Sequence, residues 1–155
     1  MTEPTGDEWK QGEFTISTDP ARVDVDVVHR WLSEESYWAQ DCSRDSVERS
    51  IAGSLTFGIY HDPTGAMVGF ARIITDGATF SYLTDVFVLP EWRGQGLSKW
   101  LMETIWTHPD LQGQRRWLLA TADAHTLYAQ FGFALVEQPD RWMERKPGNW
   151  QRSNV

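Results

Sequence analysis

Residues 86–98 read Val-Phe-Val-Leu-Pro-Glu-Trp-Arg-Gly-Gln-Gly-Leu-Ser, an apolar run that passes through a Gly-x-Gly turn. Leu97, Trp100, Leu101 and Ile105 then recur at helical spacing, so a strand, a tight turn and an amphipathic helix are expected in that order. Such a junction makes an anion site from backbone alone. Glycines let main-chain N–H groups approach a ligand closely, and the helix adds unsatisfied amides and the positive end of its dipole. A phosphorylated cofactor is the natural guest. ATP and GTP are disfavoured, because a P-loop places Lys-Ser or Lys-Thr directly after its last glycine and Leu97-Ser98 follow Gly96 here. A dinucleotide fingerprint is also broken, since Lys99 stands where a third glycine or alanine belongs. Taken alone, Gly-x-Gly describes an ordinary tight turn into a helix equally well.

The rest of the chain alternates strands with helices. Phe14 to Ser17 is a short strand, Asp19-Pro20 a turn, and Val23, Val27, Val28, Trp31 and Leu32 a helical stripe. Ser43 caps a second helix that carries Val47 and Ile51 on one face. Leu55 to Tyr60, Ala66 to Ile74 and Phe80 to Val88 form an antiparallel meander, broken at Asp62-Pro63-Thr64-Gly65 and Asp76-Gly77. Trp117 to Ala120 is apolar throughout and suits a strand covered on both faces. Asp123 is expected to cap a helix bearing Ala124, Leu127, Tyr128 and Phe131, which Gly132 ends. Strands at Phe133 to Val136 and Arg141 to Glu144 close the series.

A length of 155 residues suits one domain, divided here into a flexible lead over 1–12, a folded domain over 13–146 and a polar tail over 147–155. Cys42 is the only cysteine, which excludes an internal disulfide and a zinc cluster built on cysteines; no metal is expected. The start is acidic without an apolar segment, and no run reaches membrane-spanning length, so a cytoplasmic protein without membrane contact is expected. The net charge of −8 argues against nucleic acid as a partner and mildly favours a cationic one.

Val88, Pro90, Arg93, Gly94 and Gly96 fill a Val-x-Pro-x-x-Arg-Gly-x-Gly pattern that resembles the acyl-CoA pyrophosphate loop of the GNAT N-acetyltransferase superfamily. Ser98 stands where that family usually has Gly or Ala, and its small side chain keeps the turn open. Leu127-Tyr128-Ala129-Gln130-Phe131-Gly132-Phe133 is similar to the family's Leu-Tyr-x-x-x-Gly-Phe segment, at the expected distance downstream. The element order matches as well, from about Phe14 to Arg145. The resemblance implies an α/β (α+β) acyl-CoA N-acyltransferase fold: a mixed, mostly antiparallel sheet flanked by about four helices, with two parallel central strands splayed apart for CoA.

It also implies acetyl-CoA as co-substrate and residue roles. Arg93, Gly94, Gln95, Gly96, Leu97 and Ser98 would hold the pyrophosphate, and main-chain groups of Phe87 and Val88 would lie beside the acyl arm. Thr121 replaces an asparagine that touches the cofactor in many members. Tyr128 matches the family's general acid, and a phenol with an ordinary pKa near 10 donates readily to a departing thiolate. Periodicity alone would make it a core tyrosine beside Leu127 and Phe131. Asp85, on the strand leading to the loop, is either the base that deprotonates the incoming ammonium or the partner of a neighbouring Arg or Lys. His125, one turn before Tyr128, is expected to be packed and hydrogen-bonded rather than catalytic.

The segment between the first two helices walls the acceptor cleft in the family. Here Glu34, Glu35, Tyr37, Trp38 and Asp41 could hold a cationic amine by charge and cation–π contact, or the rings could pack on the sheet with the acids solvated. Trp92, Trp100, Trp106 and Trp117 are read as packing residues around the cofactor loop and its helix. An N-acetyltransferase acting on a small-molecule or peptide amine, by direct attack in a ternary complex, is the leading expectation. The alternatives are a non-catalytic acyl-CoA-binding sensor, transfer to oxygen, or a longer acyl group. The oligomeric state, a homodimer included, stays open.

Overall fold

Alternating apolar residues build a six-stranded sheet in a computed structural model that describes residues 6–36, 39 and 42–146. Its strands are β1 (Glu8–Gln11), β2 (Phe14–Ser17), β3 (Leu55–His61), β4 (Ala66–Thr75), β5 (Phe80–Val88) and β6 (Arg116–Leu119). They lie side by side in chain order, antiparallel except for the parallel pair β5 and β6. That parallel pair needs a crossover, supplied by helix α3 (Leu97–Trp106). Helices α1 (Val25–Arg30) and α2 (Arg44–Ala52) precede β3, and α4 (His125–Ala129) follows β6. No described helix is long and apolar enough to cross a membrane.

The period-two alternation of the strands feeds two cores. Ile16, Phe57, Ile59, Val68, Ala71, Ile73, Leu83 and Val88 meet Leu97, Leu101, Met102 and Ile105 of α3. On the other face Tyr60, Met67, Phe70 and Phe87 meet Val28, Leu32, Val47 and Ile51 of α1 and α2. Each fully buried Val, Leu, Ile, Phe or Met side chain among them contributes roughly 1.5–3 kcal/mol. Ser43 caps α2 as expected, its hydroxyl accepting from the Ser46 amide at 3.1 Å.

Three expectations fail. Residues 8–11, read as part of a flexible lead, form β1: Glu8 to Gln11 pair with Ser17 to Phe14, and the Trp9 ring lies 6.2 Å from Phe57 and 5.7 Å from His108. Buried His108 also contacts Asp7, Nε2 to Oδ2 at 3.0 Å, fastening this edge to the end of α3. Segments 133–136 and 141–144 are not strands; a short 3-10 turn at Pro139–Arg141 takes in the start of the second, and Leu135 is 81% exposed. Their apolar pattern has no ladder partner among the described residues, since β6 spans only four residues. Asp123 does not cap α4 through its side chain. No side chain caps this helix; the Thr121 hydroxyl shapes the turn before it, accepting from the amides of Ala124 at 3.0 Å and Asp123 at 3.4 Å.

Candidate active site

The parallel pair is short. Phe80 to Leu83 pair with Arg116 to Leu119, and beyond Leu83 and Leu119 the ladder stops. A cleft of about 410 Å³ opens there, walled by residues 82–86 of β5 on one side and by Leu119 to Ala124 and Tyr128 on the other. A second cavity of about 510 Å³ shares Leu119, Ala120, Thr121 and Tyr128 and is bounded by His125, Phe133 and Leu135.

Tyr128 therefore has both characters read from the sequence. It is 9% exposed and belongs to the α3-side core, with Phe133 edge-on at 6.1 Å, yet it also lines the cleft. Asp85 lines the same cleft from the opposite wall. His125 is exposed rather than packed, contrary to expectation: it opens α4, whose contacts with the core come from Ala124, Leu127 and Tyr128 instead.

Asp85 owes its position to a β-bulge. Phe70 and Arg72 are two positions apart on β4, whereas their partners Phe87 and Thr84 are three apart, so β5 carries one extra residue. Asp85 has φ 54°, the only positive φ among the described non-glycine residues. Its Oδ2 accepts from Arg72 Nε at 2.8 Å, and the Thr84 hydroxyl lies 3.4 Å from Oδ1. Asp85 thus has an arginine partner, in a pair that is only 14% and 7% exposed, and still lines the cleft. Arg72 was not singled out from the sequence. A lone charge within Ala66 to Thr75, an otherwise largely apolar strand, was the available signal, since a buried charge requires a partner.

At the far end of β5, Pro90–Trp92 makes a 3-10 turn and the chain reaches Gly94 and Gly96 at φ 81° and 78°. Gly96 is the N-cap of α3 and no side chain caps the helix, so first-turn amides are available to an anion. Leu97 is buried in the core, which leaves only its backbone for a ligand; Ser98 is half-buried at the helix start. Gln95 Nε2 donates to the Trp92 carbonyl at 3.1 Å. Arg93 folds back onto β5: its Nε donates to the Val88 carbonyl at 2.9 Å and its guanidinium sits 5.5 Å from the Trp31 ring. Phe87 is buried with its ring 5.0 Å from Trp31, so that tryptophan links the loop to the helical layer.

Glu34 and Glu35 are exposed in a wide helical turn, Trp31–Glu35, and neither lines the cleft that holds Asp85 and Tyr128. Tyr37, Trp38 and Asp41 lie outside the described residues. Trp100 is buried, while Trp106 is 42% exposed with its ring 5.7 Å from Trp117. No cluster of three potential metal ligands occurs among the described residues.

Residues 52–135 match the family profile of the acetyltransferase (GNAT) domain. A crystal structure from Xanthomonas campestris pv. campestris, of a protein assigned to the GNAT family, is similar at 50% identity, covering 90% of this chain and 98% of that one with a TM-score of 0.85. A curated acetyltransferase of Gibberella zeae is 34% identical, with 79% of each chain covered. An acetyltransferase of Clostridium acetobutylicum solved with acetyl-CoA shares the fold at 15% identity, covering 86% of this chain and 94% of that one with a TM-score of 0.64.

Proposed function

The chain belongs to the GNAT acetyltransferase family, and on that premise we propose that it transfers the acetyl group of acetyl-CoA to a primary amine, in the cytoplasm, by direct attack in a ternary complex. The observation that carries this reading is the cleft beyond Leu83 and Leu119, where Asp85 and Tyr128 stand on opposing walls. The Clostridium relative was solved with the same co-substrate.

The uncapped start of α3 and the left-handed Gly94 and Gly96 suit a pyrophosphate, whose oxygens would take amides from Gly94 to Ser98. Arg93 serves chiefly by holding the loop against β5, and Gln95 by bracing its turn. Beyond Leu83, β5 has no β6 ladder to occupy its free edge, so main-chain groups from Thr84 toward Phe87 can meet the acyl arm. Thr121 contributes by shaping the turn into α4 at the cleft wall.

Asp85 takes a proton from the entering ammonium, directly or through water, and the neutral nitrogen attacks the thioester carbonyl. The C–N bond forms, the C–S bond breaks, Tyr128 Oη gives its proton to the departing sulfur, and the second proton, shed by the nitrogen as it becomes an amide, restores the phenol. Glu34 and Glu35 draw a cationic acceptor toward the site over a longer range, an effect that salt weakens, and Tyr37 and Trp38 offer it cation–π contact.

Screening primary amines with acetyl-CoA while following thiol release tests the reading. Tyr128→Phe keeps the ring packing, so KM for acetyl-CoA should stay within about twofold while kcat falls roughly 10²-fold. Equal turnover would demote Tyr128 to a packing residue. A parent protein that binds acetyl-CoA but acetylates no amine would point instead to an acyl-CoA sensor.

A further inference from the structure

The bulge on β5 holds an aspartate in a conformation that suits glycine. Left-handed backbone at a residue with a Cβ costs on the order of 1–3 kcal/mol and persists only where its surroundings over-determine it. Asp85 is 7% exposed, so its carboxylate also needs a partner within the protein. Arg72 meets both requirements. Its Nε binds Asp85 Oδ2 at 2.8 Å, and its Nη1 donates to Ser54 Oγ at 3.0 Å. Ser54 in turn donates to the Ser50 carbonyl of α2 at 2.6 Å. The guanidinium fork thus ties the bulge to the end of a helix.

We propose that Arg72 is a positioning residue: anchored by Ser54, it acts on the reaction through Asp85, holding both the carboxylate and the left-handed backbone that set this wall of the cleft. This inference rests on the reading of the cleft as the acetyl-transfer site. A lysine cannot substitute fully, because an ammonium lacks the planar fork that reaches Asp85 and Ser54 together.

The test measures kcat and KM for acetyl-CoA in Arg72→Gln, Asp85→Ala and the double variant, with Asp85→Asn alongside and a crystal structure of Arg72→Gln. The two single variants should each lower kcat about tenfold or more with KM within about twofold. The double variant should be no slower than the slower single one, because both changes remove the same arrangement. In the Arg72→Gln crystal, Asp85 should leave the left-handed region or turn its carboxylate away. Parent-level kcat in Arg72→Gln, multiplied losses in the double variant, or an unmoved Asp85 in the crystal would overturn the proposal.

The Asp85→Asn side chain would still accept from Arg72 and tolerates left-handed backbone, yet takes up no proton. Full activity in Asp85→Asn beside slow Arg72→Gln and Asp85→Ala would therefore remove the base role and leave the positioning role standing. The crystallographic arm needs no turnover, so it judges the positioning even if no amine is acetylated. Should Arg72→Gln fail to fold, Arg72→Lys carries the same test: kcat should fall at constant KM, and parent-level kcat would overturn the proposal.

Discussion

Gly96→Ala separates the conformational role of the cofactor loop from its binding role. Gly96 sits at φ 78° and ψ 13°, and a Cβ built there meets no atom within 4 Å. The substitution consequently adds no steric clash, and its stability cost is that of left-handed backbone alone, roughly 1–2 kcal/mol. For a domain of this size that lowers Tm by about 2–8 °C. Binding should suffer separately, because the open space before the α3 amides is where a phosphate must approach. We expect CoA affinity in calorimetric titration to fall tenfold or more, about 1.4 kcal/mol. Gly77→Ala is the control: Gly77 has φ 74° with nothing within 4 Å, and its turn lies at the opposite end of β5. It should lose similar stability while binding CoA within about twofold of the parent. Parent-like CoA binding by Gly96→Ala would refute the loop assignment. Equal weakening in both variants would trace the loss to general destabilisation.

Two further outcomes concern buried and titrating groups. Tyr60 is buried, its Oη has no hydrogen-bond partner among the described residues, and burial raises its pKa. Tyr60→Phe removes that orphaned hydroxyl, so it should leave Tm unchanged or raise stability by up to about 1 kcal/mol in urea titration; a clear loss would reveal a missing partner. Asp76 is held well below the usual carboxylate range by the Thr79 hydroxyl first, then by the amides of Thr79, Ala78 and Phe80. A carboxyl lowered in the folded state stabilises above its unfolded value near 4 and ceases to do so as pH falls through its folded value. Asp76→Asn should therefore be less stable than the parent at neutral pH, with a deficit that shrinks in strong acid. A deficit independent of pH would contradict this account.

Local physics made much of the molecule readable from its residues. The apolar run, paired glycines and helical stripe between Val86 and Ile105 each act within a few positions, and β2 and β5 occupy the expected Phe14–Ser17 and Phe80–Val88. Tyr128 was singled out by a resemblance to a family segment rather than by its periodicity, which describes a core tyrosine, and it lines the cleft as well as the core. What distant parts of the chain do to one another lay beyond that reading. Trp9 gives β1 little apolar pattern of its own, and the strand exists because β2, Phe57 and His108 receive it. The apolar residues near Phe133 have a suitable pattern but no described ladder partner. Asp85 and Arg72 stand 13 positions apart, and one extra residue on β5 decides which way the carboxylate faces. Periodicity reports which side of a segment avoids water. The tertiary structure alone decides which groups satisfy the hydrogen bonds and charges that folding buries.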